Sequence, residues 1–338
     1  TCDVDFFEKP APSPLACWYT KQVDYAVVIT ASHNPYVYNG FKLFLDKSKE
    51  CDDVFAKRIE DLANSCVYDE IQKINFEEGK QKGFIKLKNV EKEYCDSILS
   101  FVNVEKIRNS KLKVLVNAMH GNSVSCFEYI LKSLELENVQ IINNNIDPYF
   151  EHKLPAPYVY NLTDQAKQVV DEKYDIGLAV DGDSDRFTLI SNSGKIYDCN
   201  YVISVLYYYY IKVKGYAGAV AKNSALSNLV KLIAKKFGFE CYDTKVGFKH
   251  IAKVMSETDC FIGAESNGVA FKPHIMSKDG IYCAIAVIDA LTEMDVSFDD
   301  FINYLQDLCD FHSTSIEYAY PITIQQKEEI IKKLFVDN

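Results

Sequence analysis

The chain alternates short β-branched runs with longer stretches in which apolar residues recur at helical spacing. "YAVVIT" (residues 25–30) and "YDIGLAV" (residues 174–180) are strand-like, whereas "SCFEYILKSLEL" and "SNLVKLIAKKFG" carry the helical period. This order indicates an α/β fold with parallel or mixed sheets, because helices that follow strands can cover the sheet. At 338 residues the chain exceeds the commonest domain size, so two to four domains are expected.

The bulk composition excludes several classes of function. Hydrophobic residues make up 48% and charged residues 25% of the chain, which is typical of globular proteins. The formal net charge of -11 argues against binding to nucleic acid or to anionic lipid. An anionic small substrate would therefore need a locally positive pocket or a metal ion. The most apolar run, residues 201–213, is too short to span a bilayer, so no membrane segment is predicted.

The cysteine pattern indicates whether the protein resides in a reducing or an oxidising compartment. The chain has 11 cysteines, an odd number, and it contains no C-x-x-C pair. Neither a disulfide framework nor a zinc site is therefore indicated. Reduced thiols in a cytoplasmic protein are the simpler interpretation.

The hexapeptide "DGDSDR", residues 181–186, directly follows the strand-like run "YDIGLAV". It places three carboxylates at alternate positions, which suits the oxygen ligands of a hard divalent cation such as magnesium. An EF-hand loop would need glycine and glutamate at its sixth and twelfth positions, where this chain has Arg186 and Asn192. An acidic turn without a metal remains the alternative. Three adjacent carboxylates repel one another unless a cation neutralises them, which favours the metal site.

The stretch "TASHNPYVYNGFKLF", residues 30–44, carries more hydrogen-bonding side chains than a simple strand connection needs. Ser32 follows the strand directly, so its hydroxyl could project into a crevice at the carboxyl edge of the sheet. The alternative makes Ser32 a helix N-cap and Asn34-Pro35 an ordinary turn. This stretch alone does not decide between the two interpretations.

The motifs "TASHNP", "NGFK", "DGDSDR", "KVGFK", "GAESNG" and "HIMSKDG", in this order, resemble the α-D-phosphohexomutase family, the phosphoglucomutases and phosphomannomutases. The resemblance extends from Pro10 to about Asp310. It implies three related mixed-sheet α/β domains around a central cleft. The expected divisions are residues 1–110 with the phosphoserine loop, 111–213 with the metal loop, 214–311 with the sugar loops, and 312–338 as a linker and the start of a fourth domain.

The tail from residue 312 contains a strand-like run followed by the helix-like "TIQQKEEIIKKLF". The family has a further stretch before the part that matches at Pro10, and a fourth domain with a phosphate-binding loop. Neither is found in this sequence, so we expect a fragment or an incomplete chain with reduced activity.

The resemblance also assigns roles at the reacting centre. It implies a phosphoserine at Ser32 and one Mg²⁺ held by Ser32 and the three aspartates of the hexapeptide. Arg186 would steady the phosphoryl group, and His33 would contact the phosphate. Lys42 would transfer the proton of the reacting hydroxyl, with a pKa lowered by a neighbouring arginine and metal. The metal ligands expected are Ser32, Asp181, Asp183 and Asp185.

The remaining motifs imply a sugar-phosphate site. The residues expected to bind substrate are Gly247, Lys249, Glu265, Ser266, His274 and Lys278, and Asp279 lies beside them in the sequence. In "GAESNG" the family typically has two successive glutamates before the serine, and Ala264 replaces the first. Either Glu265 takes over the reading of the sugar hydroxyls or the specificity is altered.

The implied reaction interconverts hexose 1-phosphate and hexose 6-phosphate through a hexose 1,6-bisphosphate. Glucose phosphates are favoured because "KVGFK" and "HIMSKDG" resemble the phosphoglucomutase branch, and mannose phosphates are the second candidate. A phosphatase and a non-catalytic relative that binds sugar phosphates or a protein partner stay open. Sugar phosphates are the expected partners, without nucleic acid or membrane, and a monomer or a homodimer is expected.

Overall fold

The computed structural model describes residues 3–45, 47–313 and 322–335, and these residues form four β-sheets. The first part of the chain holds two of the sheets. Its strands and helices are β1 (Val4–Phe7), α1 (Ser13–Tyr19), β2 (Tyr25–Ile29), β3 (Phe41–Leu45), β4 (Lys49–Glu50), α2 (Asp53–Ser65), α3 (Phe76–Gln81) and β5 (Ile85–Lys88). Strands β1 and β5 pair in parallel, and β2, β3 and β4 form an antiparallel sheet.

The middle part forms a mixed five-stranded sheet in the order β10-β9-β8-β6-β7. Its elements are α4 (Glu91–Leu99), α5 (Val104–Asn109), β6 (Val114–Asn117), α6 (Val124–Ser133), β7 (Val139–Ile142), α7 (Thr163–Asp171), β8 (Ile176–Val180), β9 (Phe187–Ser191), β10 (Ile196–Tyr197) and α8 (Cys199–Lys212). Strands β6, β8 and β9 are buried along their whole length. Burial on both faces explains their continuous apolar sequences, "VLVN", "IGLAV" and "FTLIS", which lack polar alternation.

The last part contains a four-stranded sheet in the order β12-β11-β13-β14, parallel except for β14. Its elements are β11 (Val220–Asn223), α9 (Leu229–Lys236), β12 (Cys241–Thr244), α10 (Phe248–Glu257), β13 (Ile262–Glu265), β14 (Gly268–Phe271), α11 (Gly280–Met294), α12 (Phe298–Cys309) and α13 (Ile324–Phe335). The apolar, tyrosine-rich run of the sequence is helix α8, which is buried against α9, α11 and α12. None of the described helices is both long and apolar enough to cross a membrane.

The mixed-sheet α/β architecture predicted from the sequence is confirmed. The helix predicted in the tail is α13, whereas the strand-like run predicted before it lies outside the described residues. The domain boundaries at 110, 213 and 311 stay a prediction. Every cysteine in the described part of the chain is a free thiol.

Backbone contacts bring the loops of the three parts together. The amide of Ser13, at the start of α1, donates to the carbonyl of Asp183, and the amide of Gly280 donates to that of Ser184. Gly182 lies so close to its surroundings that a Cβ there would be 3.2 Å from both the Ser32 carbonyl oxygen and the ring of Phe150. The turn after β8 is therefore packed directly against the turn after β2.

A second set of contacts, here called the seam, joins the first and last parts of the chain. Residues 48–50, which include β4, lie alongside Met276, whose amide donates to the Ser48 carbonyl at 2.8 Å. Ser277 Oγ donates to Glu50 Oε1 at 3.0 Å in the same place. The loop that precedes α11 is thus attached to β4.

Candidate active site

The three aspartates of the hexapeptide form one buried cluster at the end of β8. One oxygen from each of Asp181, Asp183 and Asp185 lies within 4.8 Å of the others, and each residue is at most 5% exposed. Asp181 Oδ1 accepts from the backbone amide of Arg186 at 2.9 Å, which closes the turn. Burial, together with the other two carboxylates, raises the pKa of the Asp181 carboxyl well above its ordinary value.

The cluster passes a test of fit to a hard divalent cation. Oδ1 of Asp183 and Oδ1 of Asp185 are both buried, and neither has a hydrogen-bond partner among the described residues. An unpaired buried carboxylate oxygen is costly, so the two atoms are available as ligands. The donor set contains only oxygen, which suits Mg²⁺ or Ca²⁺ rather than a softer metal.

Ser32 lies directly beside this cluster. Its Oγ donates to Asp181 Oδ2 at 2.9 Å, so the hydroxyl and a carboxylate oxygen face the same centre. The residue has a φ of 54°, in the left-handed region that a non-glycine residue adopts only at a cost of about 1 kcal/mol. Its amide donates to Thr30 Oγ1 at 2.8 Å, which holds this conformation.

His33 contacts the same hydroxyl. Its Nδ1 lies 3.3 Å from Ser32 Oγ, and its ring meets Tyr158 edge-on at 6.4 Å between centroids. Burial, reinforced by the Arg186 guanidinium, lowers the pKa of His33 to about 4. The imidazole is therefore neutral near pH 7.

Lys42 reaches the aspartates from β3. Its Nζ lies 2.7 Å from Asp183 Oδ2 and 2.6 Å from Asp185 Oδ2. Burial alone would lower the pKa of Lys42, but the three aspartates outweigh it and raise the pKa above its ordinary value. The expectation of a lowered pKa is wrong for this arrangement, because the sequence does not reveal that the ammonium lies between two carboxylates.

A second set of charged residues extends from the aspartates toward β13. Lys278 Nζ lies 3.7 Å from Asp185 Oδ2 and donates to Glu265 Oε1 at 3.1 Å. Burial would raise the pKa of Asp185, but the ammonium groups of Lys278 and Lys42 hold it below its ordinary value. The site thus gathers cationic side chains in a protein whose net charge is -11.

Arg186 is held by two residues that the sequence analysis did not identify. Its Nη1 donates to Tyr158 OH at 3.2 Å. Asn267, in the amide orientation that satisfies both neighbours, accepts from Arg186 Nη1 at 3.3 Å and donates to Glu265 Oε1 at 3.0 Å. Arg186 Nε is buried without a hydrogen-bond partner among the described residues and forms a 4.0 Å ion pair with Asp181 Oδ2, the oxygen that also contacts Ser32. The guanidinium therefore has an unused donor close to the serine.

The other residues expected to bind substrate lie in two separate segments, one with Glu265 and Ser266 and one with Gly247 and Lys249. Ala264 is fully buried in the core, so Glu265 is the carboxylate of this loop that reaches the site. Ser266 is half-buried beside it. Gly247, with a φ of 118°, precedes α10, and Lys249 in the first turn of that helix forms an ion pair with Asp53 of α2.

His274 has no exposed surface, which corrects the expectation that it binds substrate directly. Its Nε2 lies 2.8 Å from Asp279 Oδ2, which also accepts from Tyr94 OH at 2.8 Å. Its ring stacks on Tyr282 at 4.9 Å. A ligand cannot touch His274 in this arrangement, so the side chain instead supports Asp279, the neighbour of Lys278.

The sequence and the fold are both similar to those of known proteins. Three family profiles match the chain: "Phosphoglucomutase/phosphomannomutase, alpha/beta/alpha domain I" over residues 1–67, domain II over residues 92–194 and domain III over residues 198–308. A phosphoglucosamine/phosphogalactosamine mutase of Sulfurisphaera tokodaii is 29% identical over 301 residues, which cover 85% of this chain and 63% of the relative. A phosphoglucomutase/phosphomannomutase of Thermococcus kodakarensis is 28% identical over 300 residues, covering 87% and 64%.

A solved structure shares the fold. The crystal structure of a "putative phosphomannomutase" from Thermus thermophilus superposes with a TM-score of 0.83 at 24% identity, covering 91% of this chain and 69% of that one. The chain spans 63% and 64% of the length of the two curated relatives described above. The three profile matches together cover most of the sequence. The chain therefore belongs to the phosphoglucomutase/phosphomannomutase family.

Proposed function

We propose that this chain carries the phosphoryl-transfer centre of a magnesium-dependent phosphohexomutase. The observation that carries the proposal is the contact of Ser32 Oγ with Asp181 at 2.9 Å, beside two buried carboxylate oxygens that lack partners among the described residues. A serine next to a cation site and several fixed cationic side chains suits phosphoryl transfer, which depends on positioning and charge neutralisation. In this proposal residues 1–110 supply Ser32, residues 111–213 the aspartates and residues 214–311 the sugar loops.

The proposed reaction has two transfers. Phosphorylated Ser32 gives its phosphoryl group to the free hydroxyl of a hexose monophosphate, which breaks the serine O–P bond and forms the sugar O–P bond. The hydroxyl proton passes to Lys42 as that residue gives its own proton to the Ser32 oxygen, so Lys42 ends the step protonated. The hexose 1,6-bisphosphate formed then returns its other phosphoryl group to Ser32, and the serine hydroxyl proton passes by the same route to the sugar oxygen that is freed. Bound Mg²⁺, held by Ser32, Asp181, Asp183 and Asp185, would neutralise phosphoryl charge.

The roles of the cationic and neutral side chains follow from where they lie. Arg186 would donate to the phosphoryl oxygens through its unused Nε. Lys42 is protonated in this arrangement, so we assign it as the donor that returns a proton to Ser32 as the phosphoryl group leaves. The neutral His33 imidazole would hydrogen-bond the serine oxygen or a phosphoryl oxygen beside it.

The substrate is proposed as a hexose or hexosamine monophosphate. Lys278 and Glu265 would contact the sugar, because Lys278 lies 3.7 Å from Asp185 and pairs with Glu265. Ser266, the next residue in the Glu265 loop, is proposed to contact it as well. Lys249, positioned by Gly247, would contact a phosphate after leaving Asp53. Two relatives carry names that include glucosamine or mannose, so glucose phosphates, favoured by the motifs, are the first substrates to test and not the only ones.

The experiment that tests the proposal measures the two steps separately. Purified chain is incubated with Mg²⁺ and glucose 1,6-bisphosphate, and its intact mass is followed with Ser32→Ala as the control. One added phosphoryl group on wild type and none on the variant is the expected result. Absence of phosphorylation with every hexose and hexosamine bisphosphate tried would contradict the proposal and favour a non-catalytic sugar-phosphate-binding protein.

Isomerisation of glucose 1-phosphate is then followed by phosphorus NMR, which also detects free phosphate. Release of phosphate in excess of isomerised sugar would indicate the phosphatase alternative.

A further inference from the structure

We propose that Ser13 and Thr30 are positioning residues that turn the Asp183 carboxylate so that its Oδ1 faces the cation. The inference rests on the magnesium site proposed above and concerns how that site is held. Neither residue was identified from the sequence as part of it. Both lie in the first part of the chain, whereas Asp183 follows β8.

Ser13 donates two hydrogen bonds to Asp183. Its Oγ donates to Asp183 Oδ2 at 2.8 Å, and its amide donates to the Asp183 carbonyl at 2.9 Å. The Ser13 side chain has no exposed surface, so water cannot replace this hydrogen bond. The side chain and the backbone of Asp183 are thereby fixed to the first turn of α1 together.

Thr30 connects Asp183 to the serine turn. Its Oγ1 accepts from the Ser32 amide at 2.8 Å and lies 3.2 Å from Asp183 Oδ2. An amide can only donate and a carboxylate can only accept, so the single hydroxyl proton of Thr30 points to Asp183. One side chain therefore sets both the backbone of Ser32 and the carboxylate of Asp183.

The two oxygens of Asp183 consequently differ. Oδ2 accepts hydrogen bonds from Ser13, Thr30 and Lys42, which fills its capacity as an acceptor. Oδ1 is buried with no hydrogen-bond partner among the described residues. A carboxylate held by one oxygen presents the other in a fixed direction. Hydrogen bonds of this kind to a metal ligand are typically worth about 10- to 100-fold in metal affinity.

Mg²⁺ titration by calorimetry, without sugar, tests the proposal on the whole chain. Ser13→Ala and Thr30→Val are expected to bind Mg²⁺ about 10- to 100-fold more weakly than wild type. Thr30→Ser keeps the hydroxyl and should restore an affinity close to wild type. Ser204→Ala is the matched control, because Ser204 is also fully buried but donates to the Asn200 carbonyl, away from the site.

The outcomes separate positioning from simple support of the fold. If Ser13→Ala and Thr30→Val are less stable but bind Mg²⁺ as wild type does, the proposal is overturned. If Ser13→Ala does not fold, the comparison of Thr30→Val with Thr30→Ser decides whether a hydroxyl that contacts Asp183 is needed for Mg²⁺ affinity. If wild type binds no Mg²⁺, both this inference and the metal site fail, whereas absent mutase turnover with intact Mg²⁺ binding would count against the proposed function alone.

Discussion

Arg186 Nη1 donates to the phenolic oxygen of Tyr158 at 3.2 Å, and this contact joins the metal loop to the segment before α7. Tyr158 contacts Arg186 and also lies edge-on to His33. A residue with no recognisable motif thus touches two groups expected at the phosphoryl centre.

Tyr158→Phe should slow phosphorylation of Ser32 by about 10-fold, because a hydrogen bond to a charged group contributes roughly 1.5 kcal/mol. The rate is measured by quenched-flow mass spectrometry with glucose 1,6-bisphosphate. Tyr160→Phe, which removes a hydroxyl from a largely exposed neighbour, is the control. In an Arg186→Lys background the Tyr158→Phe effect should nearly vanish, and full additivity of the two substitutions would contradict a role through Arg186.

Replacement of Ser32 should separate chemistry from backbone strain. Ser32→Gly and Ser32→Ala both remove the nucleophile, so neither should take up a phosphoryl group. Glycine tolerates a φ of 54° whereas alanine does not, so Ser32→Gly should be more stable than Ser32→Ala by about 1 kcal/mol. Urea unfolding of the two variants measures the difference, and equal stabilities would show that the turn relaxes once the hydroxyl is gone.

Lys42→Met should make the fold depend on Mg²⁺. The substitution leaves buried carboxylates without their nearest ammonium, and we expect a loss of roughly 2 kcal/mol in EDTA, since Lys42 is itself partly exposed. Excess Mg²⁺ should recover most of this loss, because the cation replaces the missing charge. Lys57→Met, which breaks exposed ion pairs with Glu60 and Asp61 on α2, should leave the stability essentially unchanged in either buffer.

An ion pair away from the site gives a prediction on pH. Lys222 is 2% exposed and its Nζ lies 2.7 Å from Asp243 Oδ1. Hydrogen bonds from Lys222 and Lys231 lower the pKa of Asp243, so its contribution to stability is present above the unfolded-state pKa and is lost as pH falls through the folded-state value.

Asp243→Asn should therefore be less stable than wild type at pH 7 by about 1 kcal/mol, because Lys222 stays buried whereas the Asp243 carboxylate is 40% exposed and screened by solvent. The difference in stability should narrow below about pH 4, because the unfolded chain then takes up a proton at Asp243 before the folded protein does. Urea unfolding at pH 7 and at lower pH tests this, and a gap that does not change with pH would show that Asp243 acts only through packing.

The parts of the site that lie within one short segment could be predicted from the sequence. The alternating aspartates and the serine after β2 depend on local spacing, and the structure brings both turns together. Properties that depend on distant partners could not be predicted. The pKa of Lys42 is raised chiefly by Asp185 and Asp183, 143 and 141 positions along the chain, and Ser13 lies 170 positions from the carboxylate that it contacts.

The sequence predicts that His274 contacts substrate, whereas the structure buries it completely. Its motif resembles a cleft-lining segment, but the packing of Tyr94 and Tyr282 around the ring removes it from solvent. Asn267 was missed for a different reason. It lies inside the motif "GAESNG", yet only the folded arrangement shows that its amide connects Arg186 to Glu265.

The seam between residues 48–50 and the Met276–Ser277 segment has a mechanical consequence. Two hydrogen bonds and an isolated β-bridge between Lys49 and Met276 join the Lys278 loop to β4, so separating the two would break these contacts together. Any movement of the first and last parts of the chain that kept these contacts would have to turn about the seam. Lys278, two residues from Met276, would then stay close to the axis of that rotation, whereas loops farther from the seam would move more.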